Sequence, residues 1–168
     1  EALKNYYQAI KIKQNNLEAH YNFANLLYDE KKFDDALENY EKVIQIDKTF
    51  PQSYLLIGLI KSVQGKFDDA KNYFLEAIDK DKFLTEAYVY YVSTRKIQKN
   101  DKIIKILEEI INTEDLHPKH EQDISFALSK VYFDIENIDL GFKYLTSAKQ
   151  LYLKKIDFSI DKEKAAFE

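Results

Sequence analysis

Apolar residues return along this chain in paired blocks at helical spacing. His20, Phe23, Ala24 and Leu27 follow the i, i+3, i+4, i+7 rule of one helix face. After a short polar turn, Ala36, Tyr40, Val43 and Ile44 follow it again. The block Phe33-Asp34-Asp35-Ala36 recurs as Phe67-Asp68-Asp69-Ala70, thirty-four residues on. In that register Tyr40 answers Phe74, Val43 answers Ala77, and Ile44 answers Ile78; Ala2, Tyr6, Ala9 and Ile10 stand one step back. Tyr54, Ile57, Gly58 and Lys61 likewise answer His20, Phe23, Ala24 and Leu27. A fixed period of this length marks an array of helix pairs, each burying its apolar face only against its neighbours.

The details of the unit fit that reading. Ala36 and Ala70 are small where a second helix must approach the first, so both are expected to be buried at crossings. Gly58 does the same from the other side, accepting about 1 kcal/mol of helix cost. Phe33 and Phe67 are expected just before the second helix, plugging the corner. The paired aspartates after them suit the positive end of the helix dipole.

Taken in order, residues 1–16 hold the second helix of a truncated unit, 17–50 and 51–84 are regular units, and 85–118 is a degenerate unit plus loop. Residues 119–155 form a further unit, and 156–168 begin a capping or following helix. Pro51 is placed in the opening turn of its helix. In the third unit Ile103, Leu107, Ile110 and Ile111 fit the second helix only if the turn near Asn100-Asp101 is one residue shorter. The corner aromatic is missing there, so a shortened or tilted pair is expected. His117 precedes Pro118 and must be extended, Pro118 suits the first turn of the next helix, and the fourth unit resumes near Gln122. Its helices are Phe126, Leu128, Ser129 and Tyr132, then Ile138, Gly141, Leu145 and Ala148. Ser159 reads as the N-cap of a last helix.

The pattern large, apolar, small, apolar in the first helix, then aromatic, Ala, aromatic and small in the second, resembles the tetratricopeptide repeat (TPR) family. Tyr54 and Gly65 match it; His20 and Lys31 depart from it at the same two places. The resemblance implies an all-α fold, a right-handed superhelical array of antiparallel helix pairs (a TPR solenoid), and a scaffold that binds protein. The last unit carries a second resemblance. Phe126-Ala127-Leu128-Ser129-Lys130-Val131-Tyr132, Gly141-Phe142-Lys143-Tyr144 and Ala148-Lys149-Gln150-Leu151 are similar to the closing repeat of bacterial TPR arrays fused to a sulfotransferase domain. None of the sulfotransferase nucleotide-binding motif is present. The chain has no methionine and opens inside a second helix, so a fragment of a longer protein is expected.

Composition narrows the function. Cysteine is absent, which excludes disulfides and thiolate chemistry. A net charge of −4 offers no basic stripe for nucleic acid. No apolar run approaches the length of a membrane span, and the cytoplasm is the expected compartment. Arg95 is the only arginine, while Asn, Ile and Tyr are plentiful, a bias expected of an AT-rich genome. His117, His120 and Glu121 flank a proline, and no third histidine has ligand spacing; a solvated loop is expected, with no metal and no cofactor. His20 occupies a packing position. The carboxylates fall on outer faces or first turns, and the glycines are isolated, so no catalysis is expected within the chain.

What remains is the concave face that the TPR resemblance implies. Its lining, carried onto this sequence, is Glu18, Tyr21, Asn25 and Tyr28, then Gln52, Leu55, Leu59 and Ser62. Glu86, Val89, Ser93 and Lys96 follow, then Asp123, Phe126, Lys130 and Phe133. The lysine-asparagine clamp of chaperone-binding TPRs fails, because Tyr21 stands for the lysine and Leu56 for an asparagine. An asparagine ladder fails too, since Leu56 and Tyr90 follow Asn22. Leu55, Leu59 and Val89 instead place apolar groups mid-groove, rimmed by Tyr21, Tyr28 and charges, which is the mark of a contact site. The expected function is a scaffold that binds a peptide or helix of a protein partner there. The competing expectations are an auxiliary, substrate-presenting domain of a TPR-sulfotransferase, and self-association through exposed terminal helices.

Overall fold

The structure, a computed structural model, describes the backbone of residues 2–167 and the side chains of residues 5–156. Among the described residues there are nine helices and no strand. They are α1 (Ala2–Ile12), α2 (Leu17–Asp29), α3 (Phe33–Ile46), α4 (Pro51–Val63), α5 (Phe67–Lys80), α6 (Thr85–Ser93), α7 (Lys102–Ile111), α8 (Pro118–Asp134) and α9 (Ile138–Phe167). The chain divides into two compact units, Glu1–Ala87 and Tyr88–Glu168.

In the first unit α2 pairs with α3, α4 with α5, and α3 packs on α4. Ala24, Leu27, Ala36, Leu37, Tyr40, Ile57 and Ile60 form one buried cluster, with Phe23, Phe33 and Ile44 packed against it. Each of its large side chains contributes about 1.5–3 kcal/mol by leaving water. Ala36 and Ala70 are fully buried, as their recurrence predicts. Gly58 faces the Phe74 ring, and a Cβ built there would stand 2.6 Å from Phe74 Cε1. The glycine is therefore required by packing and not by backbone conformation.

The turns repeat with the same geometry. Lys31 (φ 60°), Gly65 (φ 74°) and Glu136 (φ 66°) each take the left-handed conformation between the two helices of a pair. The residue after each one bonds back across the turn: Lys32 N to Leu27 O (2.9 Å), Lys66 N to Lys61 O (2.9 Å), Asn137 N to Tyr132 O (2.8 Å). This satisfies carbonyls that the helix end would leave open. Only one of the three positions is glycine, and the bonds hold all three in place.

The joints between pairs also repeat. Tyr54 donates from its hydroxyl to Lys48 O at 3.1 Å, and His20 places Nε2 2.9 Å from Gln14 O. Both span six residues, so the histidine that departs from the family pattern keeps the polar contact of the tyrosine. Its other nitrogen lies 2.9 Å from Asn39 Oδ1. Asp47 accepts from Thr49 N and Thr49 Oγ1, and Asp81, its counterpart, accepts from Phe83 N. The Thr49 hydroxyl and then its N–H hold the Asp47 carboxyl below its ordinary range.

Two details of the first unit differ from expectation. Phe33 and Phe67 are the first residues of α3 and α5 and do not precede them; their N-caps are Lys32 and Lys66. Phe33 sits edge-on to Tyr28 at 5.7 Å, but Phe67 is 55% exposed and plugs nothing. Ser62 stands where Tyr28 stands in the preceding pair, so Phe67 has no ring to meet.

The second unit departs further. α6 and α7 are shorter than the helices they answer, as predicted. No shortened turn joins them; residues 94–101 form an irregular stretch. Ile97 is buried within it, and its N–H donates to Asp134 Oδ2 at 2.7 Å. Arg95 pairs with Asp101 and bonds the Tyr91 hydroxyl at 3.0 Å. α8 begins at Pro118, which occupies the first turn as expected, ahead of Gln122; His117 Nδ1 caps it by accepting from Lys119 N at 3.2 Å. His120 consequently lies in the first turn of a helix and not in a loop. α9 runs unbroken through Ser159, so that residue caps nothing. The side chains of Phe158, Ile160 and Phe167 lie outside the described residues. Gly141 faces the Phe133 ring as Gly58 faces Phe74, with a built Cβ 2.6 Å from Phe133 Cδ1.

Candidate functional site

Tyr21, Asn25 and Tyr28 share one face of α2, since they lie at i, i+4 and i+7. Tyr21 meets Phe50 edge-on at 5.0 Å and lies tilted against Tyr40 at 6.1 Å. Tyr40 is fully buried and donates from its hydroxyl to Asn25 Oδ1 at 2.7 Å. Burial first, then the neighbouring Tyr21 and Tyr28 phenols and Asp29, push the Tyr40 phenol well above its ordinary range. It stays a neutral donor throughout the physiological range. Asn25 therefore has its oxygen occupied from below and offers its amide N–H groups.

On α4 the predicted face splits. Gln52, Leu59 and Ser62 are half-buried. Leu55 is only 5% exposed, so it is core and not an exposed groove anchor. Its spacing could not reveal this, because a residue four positions from Leu59 lies near the border between the two helix faces. Of the positions on α6, Glu86 and Ser93 are exposed and Val89 is half-buried. The Ser93 hydroxyl is used by its own helix, donating to Val89 O at 2.8 Å.

In the second unit Phe126 is exposed on α8, and Lys96 stands exposed at a cavity of about 360 Å³. Lys130 is not available as a groove cation. Its Nζ donates to Arg95 O at 2.7 Å and pairs with Asp134, fastening the stretch after α6 to α8. Asp123 is buried, with Lys119 Nζ 2.7 Å away, and so is also withdrawn from the predicted lining. Sequence reasoning missed this fastening because Lys130 and its carbonyl partner are joined only by the fold. It missed the Tyr40–Asn25 bond for the same reason.

His117 and His120 bring their rings within 5.5 Å. No group of three or more His, Asp or Glu side chains able to hold a metal ion occurs among the described residues. No helix among them is long and apolar enough to cross a membrane.

Residues 24–62 match a family model described as TPR repeat, and residues 51–81 match one described as tetratricopeptide repeat. No curated protein matches the chain by sequence. Among solved structures, a crystal structure of MamA is 22% identical, covering 92% of this chain and 89% of its own, with a TM-score of 0.66. YrrB, described as a TPR protein with an unusual peptide-binding site, is 17% identical over 89% of this chain and 83% of its own, with a TM-score of 0.57. Pseudomonas aeruginosa PilF is 14% identical over 96% of this chain and 72% of its own, with a TM-score of 0.62. The helix pairs within residues 24–81 are tetratricopeptide repeats. The fold of the chain is the all-α helical-repeat fold of that family.

Proposed function

We propose that the first unit binds a peptide segment of a protein partner on the face built by α2 and α4. One observation carries this reading: the buried Tyr40 hydroxyl donates to Asn25 Oδ1, and Asn25 stands between Tyr21 and Tyr28 along one face of α2. The amide N–H groups left to Asn25 suit a backbone carbonyl of a bound segment. Half-buried Leu59 supplies an apolar contact, with Gln52 and Ser62 beside it. A role in protein interaction also suits a repeat fold whose neighbour YrrB is described as having a peptide-binding site.

The test is titration with peptides selected by display against the whole chain. Asn25→Ala and Leu59→Asp should each weaken binding by about tenfold, equivalent to about 1.4 kcal/mol, with helicity unchanged. Tyr40→Phe should weaken it as well, by freeing the Asn25 amide to turn. Binding that ignores all three substitutions would refute the assignment. Melting of the helices by Leu59→Asp would mark that leucine as core, like Leu55. Reading the parent gene on both sides separates this reading from that of an auxiliary domain of a larger enzyme.

A further inference from the structure

A cavity of about 490 Å³ opens at the joint between α1 and α2 and shares no residue with the α2–α4 face. Ile10, Gln14, His20, Lys42, Gln45 and Ile46 line it, and no carboxylate does. Its size falls within the range of about 300–1,000 Å³ usual for small-molecule sites.

The repeat supplies its own comparison, because the joint between α3 and α4 holds the same positions thirty-four residues on. His20, Asn39, Lys42, Gln45 and Ile46 correspond there to Tyr54, Tyr73, Glu76, Asp79 and Lys80. The Lys80 chain reaches over the Tyr54 ring, with Nζ 5.8 Å from its centroid. Glu76 and Asp79 hold that ammonium at 3.1 and 2.9 Å. A hollow of about 300 Å³ remains beside Tyr54 and Tyr73, but Glu76, Asp79 and Lys80 do not line it. The second joint therefore carries its own alkylammonium, caged by two carboxylates.

In the first joint each of these groups is exchanged. The two phenol rings become the smaller His20 and Asn39, fixed by their mutual bond and by the His20 bond to Gln14 O. The lysine becomes Ile46, and the two carboxylates become Lys42 and Gln45. Lys42 Nζ donates to Gln45 Oε1 at 3.2 Å and pairs with no carboxylate among the described residues. Gln45 accepts through its oxygen and so keeps its N–H groups for another acceptor. What results is open space with two isoleucines and an ammonium that lacks a counter-charge, the reverse of the second joint.

We propose that this cavity binds a small aliphatic carboxylate. Its carboxylate meets Lys42 Nζ and the Gln45 amide, and its alkyl chain lies against Ile10 and Ile46 as the Lys80 chain lies over Tyr54. The charge contact is exposed, so binding weakens as salt rises.

Pentanoate is the probe, because it carries a carboxylate on four carbons as lysine carries an ammonium on four. Butylammonium and inorganic phosphate are its controls. Heteronuclear NMR of the whole labelled chain should show pentanoate shifting the side-chain amide signals of Gln14 and Gln45 to saturation, with butylammonium at least about tenfold weaker. Lys42→Glu should reverse that order, since it gives this joint the charge that Glu76 gives the next. His20→Tyr combined with Asn39→Tyr should abolish binding by filling the cavity. Lys42 is exposed, so its substitution leaves the fold intact and decides the matter even where the double variant does not fold. Equal shifts from pentanoate and butylammonium, or indifference to Lys42→Glu, would overturn the proposal. So would phosphate binding as tightly as pentanoate, which would reduce the site to an adventitious anion contact at Lys42. The N-acetyl amide of glutamate carries the same group on a peptide backbone and should bind more weakly than pentanoate; tighter binding would overturn the small acid in favour of an acidic side chain of a protein.

Discussion

The three left-handed turn positions offer a controlled measure of what the repeat tolerates. A non-glycine residue in that conformation costs about 1–2 kcal/mol relative to one in the right-handed region. Glycine there is free of the strain, but its larger freedom in the unfolded chain takes back about 0.4–1 kcal/mol. Lys31→Gly and Glu136→Gly should therefore each stabilise the chain by about 0.5–1 kcal/mol. Both residues are exposed, so no buried contact is lost. Gly65→Ala is the converse: nothing lies within 4 Å of a Cβ built there, so only backbone strain acts. It should destabilise by about 1 kcal/mol. Urea unfolding followed by circular dichroism, with thermal midpoints moving about 2–4 °C per kcal/mol, is the assay. A neutral Gly65→Ala, or a destabilising Lys31→Gly, would refute the reasoning that cross-turn hydrogen bonds impose the conformation against the residue's preference.

Other outcomes follow from the packing and the joints. Gly58→Ala should lose about 1 kcal/mol on balance, because overpacking against the buried Phe74 ring, about 1–3 kcal/mol, exceeds the gain in helix propensity of about 1 kcal/mol; a rise in the melting midpoint would contradict this. Asp47 is held below its ordinary carboxylate range by Thr49, so its contribution is present above that range and lost as pH falls through the lowered folded value. Wild type and Asp47→Asn should accordingly differ in urea midpoint at neutral pH and converge on acidification. Lys130→Met removes the donor to Arg95 O and leaves Asp134 without its lysine. Amide exchange at Ile97 should accelerate while α4 and α5 are unaffected; unchanged protection at Ile97 would show that Asp134 holds the stretch by itself.

The repeat was legible in the chain because helical periodicity and a thirty-four-residue register are properties of order alone. Ala36, Ala70 and Gly58 could be placed at crossings from their size and recurrence, and the structure buries the alanines and sets Gly58 against Phe74. The shortening of α6 and α7 was legible too, from a register that slips and an aromatic that is missing. These inferences concern neighbours along a helix or one turn apart, where local geometry fixes who meets whom.

The site was less legible, because its assignments depend on which border residues the fold covers and which polar groups it joins. Leu55 and Leu59 are the same residue one helical turn apart, yet the packing buries the first and leaves the second half-exposed. Lys130 reads as a groove cation until the fold brings it to the Arg95 carbonyl. Asn25 gains a fixed orientation only when Tyr40 is folded beneath it. Sequence by itself determined the repeat, its period and its small-residue crossings, because those follow from spacing. Which polar groups are already bonded and which apolar side chains stay at the surface came only with the fold, because burial and hydrogen-bond partnership are set by contacts between distant segments.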